Sequence, residues 1–156
     1  MFRIEIDSAA VISGLEALAR RCQQRQPLMR HISMIMEAGV QDNFRAGGRP
    51  SWLGVKRGGT PLTDTGHLKN SITTVSDNDS ATVGTNVEYA AIHHFGGTTR
   101  PHVIRPRHKK ALAFGGRVFK KVNHPGSKIP ARPFLTLTPS EYAEIDNAIQ
   151  QYFKTL

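Results

Sequence analysis

The chain has 156 residues, 38% of them hydrophobic, and this length is typical of one domain that buries its own core without metal or disulfide support. No run of about 18 apolar residues is present, which excludes a membrane-spanning helix, and the single cysteine excludes an internal disulfide and favours a reducing cytoplasm. The formal net charge is +9, and residues 89–140, with 10 basic and no acidic side chains, predict contact with nucleic acid or with an acidic protein surface.

The chain begins with a segment of strand character followed by an amphipathic helix. Apolar and charged residues alternate over 1–7, which predicts a short strand rather than a signal peptide. Apolar residues then recur at helical spacing and predict a helix over 8–26, with Ser8 as its N-cap. Cys22 falls on the apolar stripe of this helix, so we expect a small buried residue rather than a reactive thiol.

A second helix and a long loop follow. Pro27 suits the first turn of a helix, and the apolar spacing continues over 27–46 until a Gly-Gly pair ends it. Residues 47–63 are rich in glycine and proline and contain few apolar side chains, which predicts a mobile surface loop that orders on contact. Trp52 is the largest apolar side chain of this loop and a candidate interaction residue.

The middle of the chain predicts a small antiparallel sheet. A short helical turn at 64–70 precedes two β-branched runs near 71–75 and 81–85, and the polar turn between these runs is typical of a hairpin. Residues 88–95 predict a short helix that a second Gly-Gly pair ends. The apolar side chains expected to seat this helix on the sheet are Tyr89, Ile92 and Phe95.

The C-terminal third combines a basic segment with a last helix. Short extended pieces separated by proline and glycine predict an irregular, hairpin-like arm over 98–128. Thr138 and Glu141 form a capping box that begins a helix over 139–154. We therefore predict an α+β fold in one domain over 1–156, in which a small antiparallel sheet packs with N-terminal and C-terminal helices and carries the arm.

The arm is the strongest candidate for a functional surface. Its positive charge suits a nucleic-acid-binding module, a docking arm for another protein or a solvated charge run, and the charge alone does not choose among them. Aromatic side chains for stacking on single strands are sparse, and the prolines argue against a groove-reading helix. The candidate interaction residues of the arm are Arg100, Arg105, Arg107, Lys109, Lys110, Arg117, Lys120 and Lys121.

Signatures of catalysis and of metal binding are weak. His93 and His94 are adjacent, so on a helix they point about 100° apart and do not face one metal ion. No carboxylate lies within 89–140 to act as a ligand or a general base, which makes a metal-dependent hydrolase the weakest alternative. Asp64 and His67 are close enough in sequence to pair across one helical turn as catalytic residues do, but a local helix cap explains them at least as well. We predict no enzymatic activity, no metal and no cofactor.

Three short motifs occur in the order that a known family shows. They are LTDTGHLKNSI at 62–72 with Trp52 and Leu53 before it, YAAIHHFGG at 89–97 and IPARPFL at 129–135. Together they resemble the tailed-bacteriophage virion morphogenesis family, the tail-completion group of Mu-like phages. The segment after the second motif looks like the variable hairpin of that family, so the resemblance does not explain the charge of the arm.

The resemblance implies a structural protein without enzymatic activity, which completes the tail or joins it to the head as a ring of subunits, with a hexamer as one candidate. It implies phage tail tube or tail terminator proteins and head connector proteins as partners, no membrane, and a place in the tail or neck of the virion after assembly in the host bacterial cytoplasm. We expect the loop 47–63 and the arm 98–128 to reach these neighbours. Non-specific contact of the arm with DNA stays an alternative.

Single residues within the motifs have roles that a structure can test. Gly66 supplies a backbone conformation that other residues resist, and Asp64 is a candidate cap for the helical turn. Arg132 lies between Ala131 and Pro133 in an extended, proline-stiffened segment, where we expect it to project toward an acidic neighbour. An intramolecular salt bridge is an equally favoured alternative for Arg132.

Overall fold

The computed structural model describes residues 8–56, 58–107 and 110–154, and the strand predicted at 1–7 lies outside them. Helices and short antiparallel strands follow one another along the chain, which confirms the predicted α+β class.

The residues form two compact units by their internal contacts. Among the described residues, the first unit consists of those up to Val87 and those from Phe134 onward, so segments from both halves of the chain belong to the same body. The second unit is Glu88–Pro133, which contains the arm. The expectation of a single domain over 1–156 stays a prediction.

Most elements predicted from local sequence signals are found, with small shifts at their ends. The second helix has proline in its first turn and stops at Gly47, whose φ of 69° is left-handed and favours glycine. The helical turn after residue 64 likewise follows Gly66, with a φ of 74°. The helices are α1 (Ala9–Gln23), α2 (Gln26–Ala46), α3 (His67–Asn70), α4 (Ala90–Phe95) and α5 (Pro139–Lys154). The strands are β1 (Thr73–Ser76), β2 (Ala81–Gly84), β3 (Gly97–Thr98), β4 (His102–Ile104), β5 (Leu112–Phe114), β6 (Arg117–Phe119), β7 (Val122–His124) and β8 (Lys128–Ile129).

α2 is the central helix of the first unit, and its apolar face is buried along its length. Leu28 and Ile32 join Ala148 of α5 in one apolar cluster. Near the end of α2, Phe44 is 1% exposed, and its ring centroid lies 5.3 Å from that of Phe134. Burial of one large side chain contributes roughly 1.5–3 kcal/mol, so this face supplies much of the stability of the unit.

β1 and β2 form the predicted antiparallel hairpin, and α2 packs against both strands. Ser76 lies opposite Ala81 at the turn. Within the turn, Oδ1 of Asp77 accepts hydrogen bonds from the backbone N–H groups of Asp79 and Ser80, each at 2.7 Å. These hydrogen bonds lower the pKa of Asp77 and fix the turn, and the turn sets the register of the hairpin.

Trp52 anchors the first part of the loop 47–63 to the core. Its indole ring meets Phe44 edge-on, with 5.9 Å between the ring centroids, and its backbone N–H donates to Gly47 O at 2.8 Å. Gly48 has a φ of 103°, and a Cβ there would lie 2.5 Å from Cδ1 of Trp52. The half-buried tryptophan therefore packs within its own chain, and its role as an interaction residue stays a prediction.

A polar network connects this loop to α2. Arg49 donates hydrogen bonds to Oδ1 of Asn43 at 2.9 Å and to Gly39 O at 2.7 Å. A third hydrogen bond, from Nη1 of Arg49 to Oε1 of Glu141, spans 2.7 Å and forms an ion pair. Asn43 is 0% and Glu141 is 7% exposed, whereas the side chain of Arg49 is 27% exposed, so the network extends from the core to the surface of the unit. Buried charges persist in proteins when they are paired in this way.

α5 begins at the predicted capping box, which the structure confirms. Oε2 of Glu141 accepts a hydrogen bond from the Thr138 backbone N–H at 2.7 Å and a second from the Thr138 hydroxyl. Burial by itself would raise the pKa of Glu141, but the hydrogen bonds from Thr138 and Arg49 prevail and lower it to about 2. One carboxylate therefore both starts α5 and pairs with the arginine of the loop.

α1 differs from the prediction in what it buries. Across residues 9–23, all of which the structure describes, no side chain is buried, and Val11 and Leu15 are 63% and 61% exposed. The prediction that Cys22 is buried is wrong, because the helix lies at the surface and its thiol is exposed. Ser8 occupies the N-cap position, but its side chain makes no capping hydrogen bond.

α4 also packs differently from the prediction. Ala90 is its buried residue, whereas Tyr89 and Phe95 are 44% and 77% exposed. Residues three positions apart in a helix are offset by about 60° around its axis. The apolar residues of α4 are therefore spread around the helix and do not share one narrow face. Phe95 is also the last residue of the helix, and the backbone leaves the helix at Gly96, with a φ of 74°. The predicted burial of Tyr89 and Phe95 is therefore wrong, whereas Ile92 is half-buried.

Candidate interaction surface

Three successive strand pairs form an irregular antiparallel hairpin in the second unit. β3 pairs with β8, β4 with β7, and β5 with β6. The tip is a turn at Gly115 and Gly116, with φ values of 55° and 71° that favour glycine. The predicted hairpin-like arm over 98–128 is therefore found, as one long hairpin made of three consecutive strand pairs.

The ladder is interrupted where the positive charge is densest. β3–β8 and β4–β7 share one register, in which Ile104 lies opposite Val122. Beyond this pair, seven residues (105–111) separate β4 from β5, but only two (120–121) separate β6 from β7. The first side of the arm therefore carries five residues more than the second. We call residues 105–111 the basic insertion.

The positive side chains of the arm are exposed wherever the structure describes them. No Asp or Glu lies within 89–140, so the arm has no carboxylate of its own to neutralise them. Solvent and counterions screen their repulsion, and the release of counterions favours binding to an anionic surface. Lys109 lies outside the described residues. The exposed predicted residues are Arg100, Arg105, Arg107, Lys110, Arg117, Lys120 and Lys121.

The arm also exposes apolar side chains between its charges. Val103 is 48%, Ile104 37% and Val118 72% exposed. A two-stranded ribbon covers neither of its faces by itself and is only marginally stable alone in water. The arm therefore offers a partner both apolar contact area and guanidinium groups, and guanidinium groups bind carboxylates or phosphates through paired hydrogen bonds.

Two histidines face each other near the base of the arm. His102 lies opposite His124 in the register, and their rings stack with centroids 5.0 Å apart. Nδ1 of His124 accepts a hydrogen bond from the Gly126 backbone N–H at 3.1 Å. Gly126 has a φ of 95°, and a Cβ there would lie 2.1 Å from Thr99 O, so the close approach of the strands requires glycine. Within the described ranges, no three His, Cys, Asp or Glu side chains are grouped as a metal would need.

Arg132 is buried rather than projecting. It is 6% exposed, and its backbone N–H donates to His93 O at 2.8 Å. The neighbouring backbone is packed closely, since a Cβ on Gly96 would lie 2.8 Å from the backbone nitrogen of Ala131. The prediction that Arg132 projects toward an acidic neighbour is therefore wrong, and its part in partner binding stays untested.

The adjacent histidines of α4 both have lowered pKa values. Burial lowers the pKa of His93, and the charge of Arg132 adds to the effect. Burial also lowers the pKa of His94. Nδ1 of His93 is buried, and among the residues that the structure describes no group hydrogen-bonds to it. The imidazole of His93 therefore contributes to packing in the second unit.

The sequence reasoning missed one surface, the exposed apolar face of α1. Apolar periodicity predicts a buried stripe, but Val11, Ile12 and Leu15 lie at the surface. One signal was available, because α1 contains four alanines and Gly14 and has few large side chains to place in a core. In the described part of the chain, no helix has the length and apolar character that a membrane span requires.

Comparison with known proteins places the chain among phage proteins. The profile of the phage virion morphogenesis family matches residues 6–154. A protein of Haemophilus influenzae named Mu-like prophage FluMu G protein 2 is 46% identical over 158 aligned positions, which cover 100% of this chain and 99% of that protein. No solved structure matches the chain.

Proposed function

The chain belongs to the phage virion morphogenesis family, and from this premise we propose that it is a structural subunit that completes the phage tail or joins it to the head by assembling into a ring. The resemblance found in the three sequence motifs is confirmed by the match over residues 6–154. Family membership supports a role in building the virion. The ring, the tail or neck location, and the tail tube, tail terminator and head connector partners are the further content of the proposal.

The observation that carries the proposal is the exposed, acid-free arm. Arg105, Arg107 and Lys110 of the basic insertion lie at the surface without a carboxylate anywhere in residues 89–140. Positive charge of this density steers association toward acidic surfaces and fixes orientation as the surfaces meet. The exposed apolar side chains of the arm supply the contact area that such an interface also requires.

Binding rather than catalysis is supported by the uses of the ionisable groups. Glu141, whose pKa is lowered to about 2, is occupied by the cap of α5 and by Arg49. Burial lowers the pKa of His93, whose Nδ1 is buried within its own unit. We propose that the protein acts without turnover of a substrate.

Charge reversal in the arm tests the proposal. We expect the triple variant Arg105→Glu, Arg107→Glu and Lys110→Glu to stay folded but to stop the formation of complete tailed particles in a phage that carries it. Particles are counted by electron microscopy. The control variant reverses three exposed cations of the first unit by the same total charge: Arg30→Glu, Lys56→Glu and Lys154→Glu. Complete particles from the arm variant would contradict the proposed role of the arm.

A nucleic-acid-binding module is the second candidate, which the same basic insertion favours. Several phosphate contacts would make the affinity for duplex DNA fall by roughly 10³-fold or more between 50 and 200 mM salt. A docking arm for protein predicts weak DNA binding at both salt concentrations. Titration of a fluorescent duplex with the full chain distinguishes the two functions.

A further inference from the structure

We infer that α1 connects one copy of this chain to the next, by placing its exposed apolar face in the groove between α2 and α5 of a neighbouring copy. The inference rests on the proposed ring assembly and assigns the surface by which that ring closes. It is carried by three observations within the first unit: an exposed helix face, an open groove, and matching charges.

The donor surface is the N-terminal half of α1. Val11, Ile12 and Leu15 are 63%, 52% and 61% exposed, and their spacing puts them on one side of the helix. A helix of 15 residues is marginal in water by itself, and Gly14 in its interior weakens it further. Contact with a partner would both cover this face and stabilise the helix.

The C-terminal end of α1 is already fixed. Arg21 donates a hydrogen bond to the backbone carbonyl oxygen of Tyr152. The guanidinium carbon of Arg21 also lies 5.5 Å from the centre of the Tyr152 ring. The backbone N–H of Arg25, just after the helix, donates to Asn78 Oδ1 at 2.6 Å. α1 is therefore anchored at one end, while Leu15 lies about 9 Å farther along the helix axis from Arg21.

The acceptor surface is a groove of about 680 Å³ beside this anchor. Pro27, Leu28 and Ala148 supply apolar wall, and Arg21, His31 and Glu144 supply charged and polar side chains. This volume is within the range of about 300–1,000 Å³ that is typical of binding clefts. An amphipathic helix lying in an apolar groove is a common mode of recognition between chains.

The charges favour a second copy as the occupant. Beside its apolar face, α1 carries Glu16 and Arg20, which form an ion pair of 4.0 Å across one turn and are both more than 60% exposed. The groove presents the opposite signs, Glu144 and the cation Arg21. The two surfaces can therefore pair charge with charge while their apolar parts meet.

Within one chain the donor face leaves the groove open. Arg21 is the residue of α1 that lines the groove, whereas Val11, Ile12 and Leu15 are exposed and are not part of its lining. A surface that contacts a different surface on an identical chain makes a head-to-tail interface, which closes into a ring when the rotation permits. A single helix in a groove is a small interface, so we expect weak pairing that is strengthened by ring closure.

Two variants of the full chain test the assignment. Leu15→Asp removes the donor, and Asn147→Arg places a long charged side chain at the groove; each should weaken self-association by at least about tenfold. Val75→Asp changes an apolar residue of β1 that is 71% exposed and should leave self-association unchanged. The measurement is the molar mass across a concentration series by sedimentation, with circular dichroism to verify folding.

Mixing the two variants gives the sharper result. The groove of Leu15→Asp and the helix of Asn147→Arg are intact, so the mixture should form one-to-one dimers that do not grow, at concentrations where each variant alone is monomeric. Packing of α1 against α1 of another copy would instead leave Asn147→Arg able to dimerise alone, which overturns the inference.

Two further outcomes overturn it in different ways. If the wild-type chain associates and Leu15→Asp associates equally well, the connector assignment fails while the proposed ring stands. If Leu15→Asp only lowers the unfolding temperature of a dilute monomer, another part of the same chain covers the face and the inference fails. A wild-type chain that stays monomeric at every concentration, alone and with tail proteins, contradicts the proposed ring itself.

Discussion

α1 and α2 are neighbouring helices with similar apolar periodicity, yet one is exposed and the other forms the core. α2 buries eight residues along its length, whereas no residue of α1, which the structure describes completely, is buried. Three distant segments pack around α2: β1, β2 and α5. Apolar spacing therefore identifies a helix with a face to cover but does not say which chain covers it.

Truncation of a buried aromatic side chain should show the largest difference between α2 and α1 in the free energy of unfolding. Phe44→Ala leaves a cavity beside Phe134 and Trp52, so we expect a loss of about 3–5 kcal/mol in the free energy of unfolding. Leu15→Ala in α1 should change it by no more than about 0.5 kcal/mol. Urea unfolding followed by fluorescence measures both, and similar losses would show that α1 is covered within the monomer.

The ion pair beside α2 should give the next largest effect, with a distinct pH dependence. Glu141→Gln leaves Arg49 without its carboxylate inside the unit and should cost about 3 kcal/mol at pH 7. The pKa of Glu141 is about 2 in the folded chain against an ordinary 4.5, so its contribution is complete above pH 4.5 and declines as the pH falls toward 2. Unfolding curves from pH 2 to 7 should therefore converge for wild type and variant at the acid end.

Adding a methyl group at each helix's interior glycine should have opposite effects. A Cβ on Gly39 of α2 would lie 2.9 Å from Cγ of Glu141 and 3.0 Å from Cδ2 of Leu137, so Gly39→Ala should destabilise by about 1–3 kcal/mol. Gly14 of α1 has no atom within 4 Å of that position, so Gly14→Ala should stabilise the helix by about 0.5–1 kcal/mol. Amide hydrogen exchange resolves the two effects, and slower exchange in α1 with faster exchange in α2 is the expected result.

The cysteine of α1 offers the mildest test. Cys22 is exposed, so Cys22→Ser should change the free energy of unfolding by less than about 0.5 kcal/mol. A thiol reagent should modify the native protein at a rate close to that of the urea-unfolded chain. Strong protection at low protein concentration would show that α1 is covered in the free subunit.

Much of the fold could be predicted because its signals are local. Pro27 and Gly47 mark the ends of α2, the Thr138–Glu141 capping box marks the start of α5, and glycine pairs end helices or form the tip of the arm. The family resemblance rested on short motifs of the same local kind. The exposed charge of the arm could also be predicted, because a segment without carboxylates cannot neutralise its own cations.

The parts that failed depend on packing partners far away in the chain. Cys22 lies on the predicted helix but is exposed rather than buried, and Arg132 is buried rather than projecting. The network of Arg49 with Glu141 joins residues 92 positions apart, and no spacing in the sequence announces it.

By itself the sequence determined where the helices, the hairpin and the basic arm lie, because backbone hydrogen bonds, glycine conformations and proline positions act over a few residues. The tertiary structure alone decided which faces are buried: α2 rather than α1, Arg132 rather than Cys22, and Trp52 against Phe44. Burial is a property of two surfaces in contact, and the second surface comes from a distant part of the chain or, as we propose for α1, from another copy.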